Sequence, residues 1–289
     1  MPTHIPVLPN ETLSLLNASA GGTFFDGTLG LAGHSTLILE ANPQNILFAA
    51  DKDKDALEIA RKNLEPYQNR CTLFHSDFKN LDTLPIPIKT IDGFLFDLGV
   101  SSFQLDDPEK GFAYAQNAPL DMRMNRDQTL TATHVINEYS YNQLMEVFKT
   151  YGEIPNPTKL VQQLIYHRKT QKIETTEQLK TIARNIYPRQ KTMDPLSRIF
   201  QAIRIEVNQE LSGLEPFLLN LFHLAKPGSR IVVISFHSLE DRIVKTALKK
   251  AKDSDLAHIL TKKPVIASET EIKANPRSRS AKLRAAEKI

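Results

Sequence analysis

The residues that could do chemistry begin at Asp26. Asp26-Gly27-Thr28-Leu29-Gly30-Leu31-Ala32-Gly33-His34 sets an acid ahead of glycines at every third position. The apolar run Thr23-Phe24-Phe25 leads into it, and a helix is expected from near Ser35. Strand, glycine loop and helix in that order bring backbone close to a nucleotide-like ligand. The spacing is G-x-x-G-x-x-G. It is neither the dinucleotide fingerprint G-x-G-x-x-G nor the phosphate loop G-x-x-x-x-G-K-[ST]. Asp26 would repel a pyrophosphate, but it suits a ligand carrying an ammonium group or hydroxyls. S-adenosylmethionine (SAM) carries both and no phosphate. SAM is therefore the expected cofactor, with Asp26 and Gly30 among its contacts.

Two more acids end apolar runs, Asp51 after Phe48-Ala49-Ala50 and Asp97 after Phe94-Leu95-Phe96. In an open parallel sheet, ligands bind at the carboxyl ends of the strands. Asp51 is placed to accept from both ribose hydroxyls, or to cap the helix that Asp53 and Asp55 introduce. Phe78, after a short run at Thr72-Leu73-Phe74, either stacks on an adenine or belongs to the core. The polar loop Leu98-Gly99-Val100-Ser101-Ser102-Phe103-Gln104 follows Asp97. Loops at strand ends commonly carry function. His237, in Ser235-Phe236-His237-Ser238-Leu239-Glu240-Asp241, either contacts substrate or satisfies a backbone group. Ser238 is expected to cap the helix after it.

These positions need a frame. Residues 23–26, 46–51, 91–97 and 230–236 read as buried parallel strands. Amphipathic helices are expected over 55–64 and 211–224. Such alternation implies right-handed crossovers and a mainly parallel sheet. It stops after Asp97. Segments 140–151, 158–169, 176–186 and 195–211 carry helical periodicity instead. The expectation is an α/β domain, 1–105 and 206–289, with a helical domain, 106–205, inserted into it.

Composition bounds the rest. The chain has 289 residues, net charge +3 and one cysteine, Cys71, which excludes an internal disulfide and any multi-cysteine zinc site. His34, His75, His134, His167 and His223 are scattered without metal-ligand spacing, so no catalytic metal is expected. No apolar stretch is long enough to span a bilayer, and the N-terminus does not read as a signal peptide. A cytoplasmic protein without membrane contact is expected. The basic tail, including Arg277, Arg279, Lys282 and Arg284, is either a charged strand edge or a phosphate-binding surface.

Taken in order, these stretches resemble the bacterial RsmH (MraW) family over nearly the whole chain. The resemblance rests on His4-Ile5-Pro6-Val7-Leu8, on Asp26-Gly27-Thr28-Leu29-Gly30 with Gly33-His34-Ser35, and on Asp97-Leu98-Gly99-Val100-Ser101-Ser102 with Gln104-Leu105-Asp106-Asp107. It continues through Pro119-Leu120-Asp121-Met122-Arg123-Met124, the Ile234–Arg242 stretch and Asn275-Pro276-Arg277. It implies a Rossmann-like class I methyltransferase with an inserted helical substrate-recognition domain. The implied activity is SAM-dependent methylation of a cytidine N4 amine in 16S ribosomal RNA of the small subunit, by a monomer or homodimer. The implied cofactor contacts are Ala32, Gly33, His34, Asp51, Phe78, Asp97 and Gln104. Asp97, or a neighbouring group such as Ser101, is expected near the amine, and His237 near the base. The chain departs from the family at Leu31-Ala32 and Phe103, and in the interposed Ile154-Pro155-Asn156-Pro157. A non-catalytic ribosome-assembly factor on the same fold is the alternative.

Overall fold

The computed structural model describes residues 5–189 and 194–289. His4 of the family resemblance therefore lies outside the described residues. In chain order the elements are α1 (Pro9–Leu16), β1 (Thr23–Asp26), α2 (Gly33–Ala41), β2 (Ile46–Asp51), α3 (Lys54–Asn63), β3 (Cys71–His75) and β4 (Gly93–Asp97). Then come α4 (Ser102–Asp106), α5 (Ala132–Glu138), α6 (Tyr141–Thr150), α7 (Thr158–Thr170), α8 (Thr176–Arg184) and α9 (Pro195–Asn208). The chain ends with α10 (Leu214–Leu224), β5 (Arg230–Ser235), α11 (Ser238–Asp253), β6 (Ala257–Ile259), α12 (Glu269–Ala274) and β7 (Lys282–Lys288).

The strands form one seven-stranded sheet in the order β3-β2-β1-β4-β5-β7-β6. β1 to β5 pair in parallel, and β7 enters antiparallel between β5 and β6. This is the α/β, Rossmann-like, mainly parallel sheet that the alternation of strands and helices implies. The chain reverses its direction across the sheet at β1 and β4, which opens a crevice at the carboxyl ends of the strands. Apolar layers cover both faces. Leu47, Ala49, Leu95 and Val232 face one cluster, and Phe25, Phe94, Phe96 and Val233 face the other. Strands buried on both sides have little polar alternation, which is why β1, β2 and β4 were legible.

The tail differs from the expected strand edge. β7 is interior, not an edge, and it carries Lys282 and Arg284. Arg284 is buried and donates from Nε to Asp241 Oδ1 of α11 at 2.6 Å, and Lys282 Nζ lies 3.3 Å from the same carboxylate. These cations hold Asp241 below its ordinary carboxylate range against the opposing effect of burial. They serve the fold. Arg277 and Arg279 of the tail remain exposed.

The chain divides into two compact units, Met1–Gly99 with Leu211–Ile289, and Val100–Glu210. The breaks fall at 99/100 and 210/211 rather than 105/106 and 205/206. The reason lies in the packing. Val100 joins the core of the helical unit, and Glu210 receives two hydrogen bonds from Arg204 of α9, at 2.9 and 2.8 Å. The helical unit is built on Phe148, Leu160, Leu164, Leu179, Ile199 and Ile203. In it Arg123 forks onto Asp121 and the carbonyls of Arg126 and Gln128, so this arginine-rich stretch holds its own loop.

Candidate active site

The glycine loop is tied to the strand ends on either side of it. Asp26 is 2% exposed and turns back into the loop. Its Oδ1 accepts the Thr28 N–H at 3.1 Å and its Oδ2 the Ser35 hydroxyl at 2.7 Å. Gly27 donates to the Leu95 carbonyl of β4, and Leu29 to the Ala50 carbonyl of β2. Gly30, at φ +50°, donates its N–H to Asp51 Oδ2 at 2.7 Å. Thr28 Oγ1 accepts the Asp97 N–H at 2.6 Å. One loop therefore gathers all three strand-end acids. Ala32 sits at φ +69°, where glycine is favoured, and α2 starts at Gly33 rather than near Ser35.

Burial raises the pKa of all three acids. Burial pushes the Asp26 carboxyl up to about 6, against the hydrogen bonds from Ser35 and Thr28, with a smaller push from the Asp51 charge. Burial also raises Asp51, opposed by the N–H groups of Asp53 and Gly30. Asp97 is raised well above the usual carboxylate range, by burial first and then by the charges of Asp26 and Glu240. Its Oδ1 is a buried acceptor with no hydrogen-bond partner among the described residues. Its Oδ2 lies 3.7 Å from Nε2 of His34, in the first turn of α2.

His237 caps α11 in place of Ser238. Its Nδ1 accepts the Glu240 N–H at 3.4 Å, and Nε2 lies 3.1 Å from Glu240 Oε1. Glu240 in turn accepts the Phe236 N–H at 2.9 Å. The cap falls one residue earlier than expected because the imidazole does what the serine hydroxyl was expected to do. Phe78 is half-buried at the start of a 3-10 turn capped by Asp77. Its ring meets Phe96 at 5.2 Å and Phe217 at 5.0 Å. Ser101 and Gln104 lie in the helical unit, where they form a reciprocal capping box on α4. Thr28, Ser35 and Glu240 are site residues the sequence reading did not single out. Glu240 had a signal, three residues after His237, but Thr28 and Ser35 became visible only through the folded loop.

A family model described as the MraW methylase family matches residues 1–289. The chain belongs to the MraW methylase family. It is 44% identical over 287 residues to the ribosomal RNA small subunit methyltransferase H of Cyanothece sp., covering 99% of this chain and 95% of that one. The proteins of the same name from Trichodesmium erythraeum and a Sulfurihydrogenibium species are each 45% identical, with 99% or more of both chains covered. A methylase of the MraW family is SAM-dependent, and this site fits SAM. A cluster of acids with raised pKa values favours a cationic ligand, and the orphaned Asp97 Oδ1 favours a donor. Asp51 uses two of its roughly four acceptor positions on Gly30 and Asp53, which leaves about two for ribose hydroxyls.

This MraW methylase is expected to lose about 100-fold in SAM affinity on Asp51→Ala. Two hydrogen bonds to a charged group, at about 1.5 kcal/mol or more each, are removed together with the Gly30 anchor. Asp51→Asn, which keeps one oxygen, should lose less. Titration calorimetry checks both, and an Asp51→Ala protein that binds SAM like the wild type excludes the ribose role.

Proposed function

We propose that this chain transfers the methyl group of SAM to the exocyclic N4 amine of a cytidine in 16S ribosomal RNA of the small ribosomal subunit. The observation that carries the reading is the end-to-end match, at 44–45% identity, to relatives named for small-subunit ribosomal RNA methylation. A ribosomal substrate supports work in the cytoplasm, by a monomer or homodimer. Among the described residues, no helix is long and apolar enough to cross a membrane.

Bound SAM supplies an electrophilic methyl group. Asp51 and Gly30 would hold its ribose end, Phe78 its adenine, and Ala32, Gly33 and His34 its remaining contacts. Asp26 holds the loop in shape through Thr28 and Ser35. The lone pair of a cytidine amine is delocalised into its ring, so the amine attacks poorly until an acceptor draws on its N–H. Asp97 is assigned that task, because its Oδ1 has acceptor capacity left and its raised pKa suits it to take the proton. Leu98–Ser102 would position the base, with the Ser101 hydroxyl committed to its cap. His237 would act as a positioning residue that holds Glu240 beside the Phe236 backbone.

The test uses small subunits isolated from a strain lacking the protein. Incubation with purified protein and tritiated SAM should label 16S RNA, and nucleoside mass spectrometry should identify N4-methylcytidine. Subunits from the deletion strain that already contain the modified nucleoside would overturn the substrate assignment.

The acids also give two pH effects of opposite sign. A carboxyl whose folded pKa is raised binds more protons folded than unfolded between the two pKa values. Its stabilising contribution is therefore present at low pH and lost as pH rises. For Asp26, with 3.8 as its ordinary value and about 6 in the fold, the apo protein should gain at most about 3 kcal/mol between pH 7.5 and 4. SAM binding should weaken over the same range, because a cation prefers ionised acids. Asp26→Asn should flatten both trends. Thermal melts and calorimetry at several pH values read them separately.

A further inference from the structure

The outward face of α7 takes no part in the cofactor chemistry. The helix buries Leu160, Val161 and Leu164, and it carries Lys159, Arg168 and Lys169 with no Asp or Glu along its length. Arg168 turns to the Ile136 carbonyl. Lys159, Gln163, Tyr166 and Lys169 are exposed and recur every three or four residues, so they share one side of the helix. Tyr166 is 67% exposed, and the edge of His167, 5.6 Å away, is its only ring contact among the described residues. Lys172 is exposed just beyond the helix end.

Two features of this face work against the isolated unit. A tyrosine ring is ordinarily placed where its apolar body is covered. Lysine in the last turn suits the helix dipole, but Lys159 lies in the first turn, where a cation is unfavourable and no acid offsets it. Both features favour the same ligand chemistry. A polyanion suits a stripe with cations and no acids, and a flat ring suits an exposed tyrosine. Single-stranded nucleic acid has both, and aromatic side chains flanked by cations are how it is commonly held.

We infer that the outward face of α7 is a docking platform for single-stranded RNA, with Tyr166 stacking on a base and Lys159 and Lys169 meeting phosphates on either side of it. The inference rests on the ribosomal RNA reading above. It adds a surface on the helical unit that selects and holds substrate strand.

The test uses the full chain and two probes, a fluorescein-labelled single-stranded oligocytidine of about 16 nucleotides and small subunits from the deletion strain. Tyr166→Ala should weaken oligonucleotide binding and raise KM for subunits about tenfold, with kcat and SAM affinity unchanged. Tyr166→Phe, which keeps the ring, should behave as the wild type. The pair Lys159→Ala and Lys169→Ala should lower the slope of log affinity against log salt by about 1.4, which is two single-strand phosphate contacts. A Tyr166→Ala protein with wild-type oligonucleotide affinity and KM, in a preparation where the wild type methylates subunits, overturns the platform and leaves a protein partner as the occupant of this face. A wild type that neither binds nor methylates RNA overturns the functional reading, and the platform with it.

Discussion

Asp97→Asn is expected to lower the rate of methyl transfer at saturating substrates by about 10²–10⁴-fold, the range for loss of a positioned proton acceptor. The substitution keeps the shape of the side chain and removes its charge. Stability should not fall. Asp97 is a carboxyl whose pKa is raised by burial and by the charges of Asp26 and Glu240, so ionising it at neutral pH opposes folding. An amide carries no such penalty, and the backbone N–H of residue 97 still reaches Thr28 Oγ1. SAM affinity separates the two roles open to this residue. A large loss of turnover with affinity nearly unchanged assigns Asp97 to the amine. A loss of affinity that accounts for the whole effect makes it a cofactor ligand. A variant that turns over within about threefold of the wild type removes Asp97 from the chemistry.

The expected acids are the part of this site that was legible in the sequence. A strand buried on both faces is a short apolar run, and an acid at its end stands out against it. β1 and β2 were bounded to the residue for that reason. What connects the acids was not legible. The bonds from Gly30 to Asp51 and from Asp97 to Thr28 span 21 and 69 residues, and they exist only because β2, β1 and β4 are neighbours. The tail failed for a different reason. Lys282 and Arg284 read as a charged strand edge or a phosphate-binding surface until Asp241 is seen to neutralise Arg284 inside the sheet. A buried ion pair looks the same in sequence as surface charge. The start of α2 moved two residues because Ala32 adopts a left-handed conformation, a choice that the side-chain pattern does not encode.

That conformation gives the departure at Ala32 a physical meaning. A non-glycine residue in the left-handed region costs about 1–2 kcal/mol, and the Ala32 methyl is fully buried. Burying a methyl returns a little under about 1 kcal/mol. Burial offsets part of the strain, which is how the loop carries alanine at a backbone position that favours glycine.

Gly27 has no such tolerance, and Gly27→Ala is expected to have the largest effect on folding and cofactor binding together. The backbone at Gly27 is not left-handed, so strain in φ is not the reason. The reason is space. A Cβ there would lie 2.6 Å from two carbons of the Phe96 ring and 2.8 Å from Phe78 Cβ, closer than carbon atoms approach. Phe96 cannot give way, since it is fully buried between Phe25, Phe78 and Phe217 at ring separations of 5.2–6.2 Å. Overpacking of this kind costs about 1–3 kcal/mol, or about 2–5 °C in melting temperature for a chain of this size. Any relief must come from moving Phe96, the residue before Asp97, or Phe78, the proposed adenine contact. SAM affinity should therefore fall with stability. Gly228→Ala is the control. Gly228 has φ +83° and nothing within 4 Å of its would-be Cβ, so alanine there should cost only the left-handed strain and leave SAM binding intact. Adding Phe96→Leu to Gly27→Ala should restore part of the lost stability, because the two sites are in contact and their effects do not add. If the pair is as unstable as the sum of its singles, the clash with Phe96 is not what keeps residue 27 a glycine.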